Sequence, residues 1–548
     1  MKIYKFLIPI IFPFLISPLW AQEQEQGSIS GNFEFNGQYY QEDSLIDAEQ
    51  PDEQVLSNGF LNIIYNRGRF SAGVRYESYL NPLLGFPSGY KGQGIPYRYA
   101  TYRGDQFQIT AGNFYEQFGS GLVLRTYNAP ALGYDNSLDG FRINFKPTDG
   151  VWLKVIWGKQ RNFFELGEGI VRGGDIELSL TELLASPDNP KPYSLLLGGS
   201  VVSKFQEDDR ADLVLPENVT STSARANFTY NGLNLQAEYA HKINDPSFDN
   251  GYIYHTGKAL LASASYSTKG FGITYGVKAI DNMSFRSDRD VAGNNLFINY
   301  IPALNRQHTY NLAASFYPYA VQPNGEAGHQ LDVLYTFQRG TLLGGKYGTY
   351  LSFNTSEVYD LEKIAIPDSL DEGLQGYERT VFKPGKERFF RDYNLEIRKK
   401  INSRWNVIYN YVNLFYNMSR VQGLEGRPNV FASIHIMDLQ YKLTKKNALR
   451  LELQHMKTDQ DQGDWASGIL EYTVSPKWFF SIFDQWNYGN SIKDLRVHYL
   501  IGSVGYIKDS FRITANYGKQ RAGIFCVGGI CRTVPASSGF SLTVSGSF

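Results

Sequence analysis

The chain has 548 residues and a formal net charge of −1, with 20% charged and 15% aromatic residues, 53 glycines and two cysteines. That balance offers no basic footprint, so no nucleic-acid partner is expected. Beyond the N-terminus no run of about 18 apolar residues occurs, which leaves no transmembrane helix. The 39 Tyr and 36 Phe, beside so much Gly, suggest an all-β chain of the kind that includes membrane barrels.

Residues 1–21 read as a secretory signal peptide: Lys2 and Lys5 precede an apolar run from Phe6 to Trp20, and Ala21 sits before the expected cut. Pro9, Pro13 and Pro18 interrupt that run, which is shorter than the ~20 residues a spanning helix needs. Export is therefore expected, with residues 22–548 forming one barrel domain.

Strict period-two alternation starts at Ser28. In SISGNFEFNGQYYQ, Ile29, Gly31, Phe33, Phe35, Gly37 and Tyr39 fall on one face, and Ser28, Ser30, Asn32, Glu34, Asn36 and Gln38 on the other. The pattern returns at Phe141/Ile143/Phe145, Leu449/Leu451/Leu453 and Phe511/Ile513/Ala515/Tyr517. Loop rhythm then separates the two architectures this allows. Short turns such as Arg67-Gly68, Gly104-Asp105, Asn231-Gly232 and Lys508-Asp509 alternate with long connections at 41–56, 80–95, 115–137, 282–306 and 417–429. A soluble sandwich has no reason to sort its loops this way; an outer-membrane barrel has short turns on one rim and long loops on the other. Trp405 and Trp478 follow short turns, while Trp157, Trp486, Tyr488 and Tyr517 precede long loops, as two aromatic girdles would. The expected fold is an all-β, porin-like transmembrane antiparallel β-barrel of about 24 strands (26 is the alternative) with no N-terminal plug domain. Parity slips once between residues 320 and 388: either an extra strand lies within 354–387, with Gly376 to Lys383 the candidate, or one strand in the 327–354 region is counted as two.

On the inner face, alternation places Arg75, Glu77, Arg142, Lys154, Asp175 and Glu177 in the N-terminal half. In the C-terminal half it places Asp392, Glu396, Arg398, Arg450, Glu452 and Arg512. Mixed signs give no ladder that selects phosphate or cations, so a hydrated wall with cross-strand ion pairs is expected. The segment Phe118 to Asp139, with Arg125, Asp135 and Asn136, is a candidate loop folded into the lumen. The acidic connection 354–387 carries Glu357, Asp360, Glu362, Asp368, Asp371 and Glu372 without calcium-ligand spacing.

Trp157-Gly158-Lys159-Gln160-Arg161 and Tyr517-Gly518-Lys519-Gln520-Arg521 both end strands that rise to long loops. Alternation turns Lys159, Arg161, Lys519 and Arg521 outward, as candidate contacts for lipopolysaccharide phosphates. His435 and His455 are expected side by side on the outer face, as girdle residues rather than a metal pair. No nucleophile elbow or phosphate loop occurs, so no catalytic residue, metal or cofactor is expected and the chain does not read as an enzyme.

The two cysteines flank Gly528-Gly529. A two-residue hairpin turn there sets Cys526 opposite Cys531 as a non-hydrogen-bonded pair, within disulfide reach in an oxidising compartment. Phe540, Leu542, Val544 and Phe548, alternating with small polar residues, resemble the C-terminal strand by which outer-membrane barrels are recognised by their insertion machinery; Gly546 departs from it. The stretches Phe114 to Ile143 and Ala522 to Gly539 resemble a family of large uncharacterised Bacteroidota outer-membrane β-barrel proteins, a likeness that covers the mature chain. The resemblance implies a barrel and an outer-membrane location, and no activity. The expected function is passive or loop-gated passage of polar solutes. The alternative is a structural or docking barrel subunit of an outer-membrane secretion or assembly complex. Outer-membrane lipid, including lipopolysaccharide, and the barrel-insertion machinery are the expected partners.

Overall fold

The computed structural model describes residues 26–185, 191–366, 372–527 and 530–548. Its frame is one 24-stranded sheet in which each strand pairs antiparallel with its neighbours. The first strand, Ser28–Gln41, pairs with Val55–Arg67 from Ser28↔Asn66 to Tyr39↔Val55. Its other edge takes the last strand, Ser537–Ser547, from Asn32↔Ser547 to Gln41↔Ser538. Gly31 and Phe548 then exchange backbone bonds of 2.9 and 3.0 Å, so the terminal phenylalanine belongs to the seam. Closure satisfies the ladder hydrogen bonds that lipid could not, and leaves no edge.

Alternation sorts the faces as the sequence requires. In Val430–Lys442, Phe431, His435 and Met437 are exposed, while Ala432, Ile434, Ile436 and Asp438 are buried. Trp405 and Trp478 lie exposed at the turn rim, and Trp157, Trp486 and Tyr517 at the loop rim. These rings bound an outward apolar band of the kind that faces lipid.

The parity slip has a simple origin. Thr349–Ala365 and the 24-residue strand Tyr377–Lys400 form one long hairpin, with register shifts around Tyr359 and Leu361. The candidate extra strand is the loop-end part of that second strand, so the count stays at 24. Much of the acidic connection is therefore barrel wall: Glu357 sits on a strand opposite Arg391, while Asp368 and Asp371 lie outside the described residues. The signal-peptide stretch 1–21 lies outside them too.

Two connections do not stay outside the barrel. Residues 115–137 and 282–325 turn inward and fill much of the lumen, the second carrying a short helix, Asn311–Ser315. The expected 282–306 connection is thus longer than its sequence limits implied. A third piece, the hairpin of Gly523–Val527 and Ile530–Val534, packs over them near Pro130–Leu132 and Asn311–Ser315. It sets Cys526 opposite Cys531; its turn, Gly528-Gly529, lies outside the described residues.

Candidate functional site

The lumen is the place where chemistry-bearing side chains converge, and the two inserts build it. They first bind each other. The Arg125 N–H donates to Ile298 O at 2.9 Å, and the Tyr300 N–H to Gly121 O at 2.9 Å. Asn136 Nδ2 donates to Phe297 O at 2.8 Å, and Asn299 Nδ2 to Leu122 O at 3.2 Å. The guanidinium of Arg125 lies 4.0 Å from the Tyr300 ring centre. Arg125, Asp135 and Asn136 all lie on the first insert, and Arg125 and Asn136 make contacts to the second.

The first insert is pinned to the wall by a buried ionic knot. Arg75 pairs with Glu77 at 2.6 Å and with Asp135; Arg161 pairs with Glu77 at 2.5 Å and Asp135 at 2.8 Å. All four side chains are at least 93% buried. Such a knot holds only because each charge meets two opposite ones. Burial opposes ionisation of Asp135, yet Arg161 and Arg75 outweigh it and hold the carboxyl below its ordinary range. Lys154 meets Glu116 at 2.9 Å, and the Ser120 N–H donates to Glu238 at 2.8 Å. Gly119 takes φ +52°, and a Cβ there would stand 2.7 Å from the Glu238 carboxylate. Only glycine suits that approach.

The second insert is held by separate anchors. His308 Nε2 lies 2.6 Å from Asp392, and Arg306 donates to Ser352 and Asn394 at 2.9 Å. Gln454 accepts from the Leu312 N–H at 2.9 Å. Lys242 donates to Ser284 O of this insert; with Lys204 it also reaches Asp245 of the separate connection 243–256, at 3.1 and 2.7 Å, and these partners hold that carboxyl low despite burial. Two apolar clusters complete the plug. One joins Phe118 and Leu122–Leu124 to Ile156, Val171, Val202 and Phe285; the other joins Leu312, Phe316 and Tyr317 to Leu414, Ile434, Ile436 and Trp465. Sequence reasoning missed these clusters. The signal was present where alternation lapses near loop ends, as in Leu414-Phe415-Tyr416 and Val430-Phe431-Ala432.

The remaining inner-face charges behave as a paired wall. Arg225 bridges Asp175 and Glu177; Arg142 approaches Glu116; Arg398 pairs with Glu396; Arg450 joins Asp438, Glu452 and Glu471. Arg512 donates to Thr514 at 3.3 Å. The outward lipid-phosphate expectation fails for two residues. A register shift between Lys159 and Arg161 reverses the side of Arg161, which turns into the knot. Arg521 lies past the strand end at Gln520, donates to Ser315 and covers Phe316 at 3.7 Å; burial pushes its guanidinium down to about 10. Lys519 pairs with Asp43 at 2.5 Å, and Lys159 is half-buried. His435 does lie opposite His455, but each meets a tyrosine, Tyr409 at 2.9 Å and Tyr488 at 2.6 Å. Among the described residues no group of three or more His, Cys, Asp or Glu is placed to hold a metal.

One sector of the lumen escapes the plug. From Trp478–Trp486 through the seam to Val55–Arg67, no strand residue enters either large apolar cluster. Its inner face is a ladder of neutral bonds: Asn516 to Ser541 at 3.0 Å, Thr543 to Asn36 at 2.8 Å, Asn62 to Asn32 at 2.9 Å. A cavity of about 440 Å³ meets it at Asn36 and extends from Glu34, Gln38 and Ser537 to Pro130, Arg532 and Pro535.

Wall, inserts and seam define a large closed β-barrel whose own connections fill its lumen. The chain belongs to the family described as Family of unknown function (DUF6029), whose model matches residues 2–548. A search of curated proteins finds no match. Among solved structures the chain is similar to the P pilus usher (PapC) translocation pore, at 9% identity and TM-score 0.41 over 95% of this chain and 99% of that one. It is also similar to the siderophore receptor PirA from Pseudomonas aeruginosa, at 8% identity and TM-score 0.39 over 96% and 81%. A third is OpdQ from Pseudomonas aeruginosa, at 12% identity and TM-score 0.29 over 95% and 97%.

Proposed function

We propose that the protein is an outer-membrane barrel, exported through a cleaved signal peptide, that passes small polar solutes along its seam. The observation that carries this reading is the 440 Å³ cavity between the plug and the polar wall of the first and last strands. Short turns and both ends of the barrel seam share one rim, which is the periplasmic side; long loops crown the other. Asn36, Gln38, Asn58 and Ser537 offer hydrogen bonds along the cavity, while Glu34 and Arg532 put one charge of each sign on its wall, so neither sign of ion is singled out. A Cys526–Cys531 disulfide, supported by their facing register, stiffens the hairpin that caps the plug. Phe540, Leu542, Val544 and Phe548 serve the insertion machinery, and lipopolysaccharide surrounds the loop rim.

The test is conductance of the purified protein in a planar lipid bilayer. Small, stable steps with weak ion selectivity are expected. Silence from a folded, heat-modifiable barrel would reject the passage reading. The filled lumen favours a second reading, a docking barrel within an outer-membrane complex; it predicts that silence together with partners retained on native purification.

A further inference from the structure

The second insert encloses a separate cavity of about 330 Å³, walled by three pieces of chain: 286–301, 320–324 and the loop residue Asp249, with Cys531 of the capping hairpin above. It is small enough for a single small solute, at the low end of the volumes that such ligands occupy. We propose that it binds a neutral, hydroxyl-rich solute of one or two sugar units.

The charge balance selects the class. Among the described residues Asp249 and Arg286 are the only ionic groups in the wall, and they pair at 2.6 Å. Arg286 spends its remaining donors on Gly293 O, at 2.7 Å, and Asn295 O. Ser284 also donates to Asp249. An anion would find no free cation there, and a cation no free carboxylate, so a charged ligand would lose its hydration without return. What remains is amides and apolar surface. Asn294 donates to Cys531 O at 2.6 Å, and Asn299 to Met283 O at 2.7 Å, which fixes both side chains. Asn324 donates to Asp249 O, and its own Oδ1 is buried without a partner. A buried acceptor left unmet asks for a donor, which a hydroxyl supplies.

Phe297 and Tyr300 line the same space with Ile301 and Val321. Sugars present C–H faces beside hydroxyl edges, and this wall offers rings and aliphatic groups beside amides. Asn324 also borders an outer cavity of about 720 Å³ rimmed by Lys383, Lys386 and Glu387.

The proposal is independent of conduction, since a silent barrel can still bind. The experiment is calorimetric titration of the full-length barrel in detergent with glucose and maltose, and with glutamate and phosphate as charged probes. Saturable binding of a sugar alone is expected, weakened at least tenfold in Asn324→Leu and in Ala320→Trp. Heat-modifiability reports whether each variant has folded, and Asn324→Leu changes little volume should Ala320→Trp not fold. No saturable sugar binding by a folded barrel, preference for a charged probe, or wild-type affinity in a folded variant would each overturn it.

Discussion

The plugged sector and the seam sector are built from the same strand geometry, yet their inner faces do opposite work. In the plugged sector many wall residues near the loop rim are apolar or belong to buried ion pairs, and several of them have a counterpart on an insert. Ile156 and Val202 join the cluster of Phe118 and Leu122; Arg161 and Arg75 meet Asp135. In the seam sector Asn36, Thr543, Asn516 and Ser541 bond one another across strands and need nothing from an insert. A wall satisfied by itself leaves room, and one that is not recruits chain to cover it. The difference lies in partner choice rather than in polarity.

That contrast is broken most directly at Asp135. Asp135→Ala leaves two buried guanidinium groups sharing only Glu77, and removing one partner of a buried ionic set costs about 3–5 kcal/mol. The first insert is expected to undock, which hydrogen exchange over 115–137 would record as lost protection while the barrel strands keep theirs. Unchanged protection there would mean that the apolar cluster alone holds the plug. Acid reaches the same joint reversibly. The folded carboxyls of Asp135 and, in the separate connection 243–256, of Asp245 are held below their ordinary range. Their stabilising contribution is complete above the unfolded value of about 3.9 and is lost as pH falls through the folded value. Bilayer current through the wild type should therefore stay level from neutrality to about pH 4 and rise below it. A rise already at neutral pH would point to a different titrating anchor.

A smaller change tests the fit of the plug rather than its charge. Gly119→Ala places a methyl 2.7 Å from Glu238 on a left-handed backbone. That conformation costs a side-chain-bearing residue of the order of 1–3 kcal/mol. Partial loss of protection at 117–121 is expected, with Glu238→Gln unable to restore it because the clash is steric. Full protection in the variant would show that the loop relaxes freely.

The barrel was legible because lipid and lumen impose a two-residue period on each strand, and that period survives in a single sequence. Girdles, turn rhythm, strand count and most inner-face charges follow from it. What failed was set elsewhere. Arg161 keeps its sequence parity, but the register shift beside it depends on its pairing partner. Asp135 meets Arg75 from 60 residues away and Arg161 from 26, so no local pattern announces the knot. The apolar inner residues did leave a trace, since Leu414-Phe415-Tyr416 is apolar on both faces. A strand with no polar face at one end has something other than water inside.

The seam offers the gentlest test of the comparison and the most specific. Asn36 faces the cavity from the middle of the first strand and bonds Thr543 across the closing pair. Asn36→Trp fills the path and removes the side-chain bond to Thr543 while leaving the backbone pairing of the seam, so stability should fall by about 0.5–1.5 kcal/mol. If solutes pass beside the plug, single-channel conductance should fall by at least half while the barrel stays folded and heat-modifiable. The same substitution at Asn234, on the inner wall of the plugged sector and bonded only to Asn227 and Thr229, should leave conductance as it was. Equal effects at both positions would place the path elsewhere in the lumen. A current insensitive to both would mean that solutes do not follow the seam, and the neutral ladder would then be read as the joint on which the barrel closes.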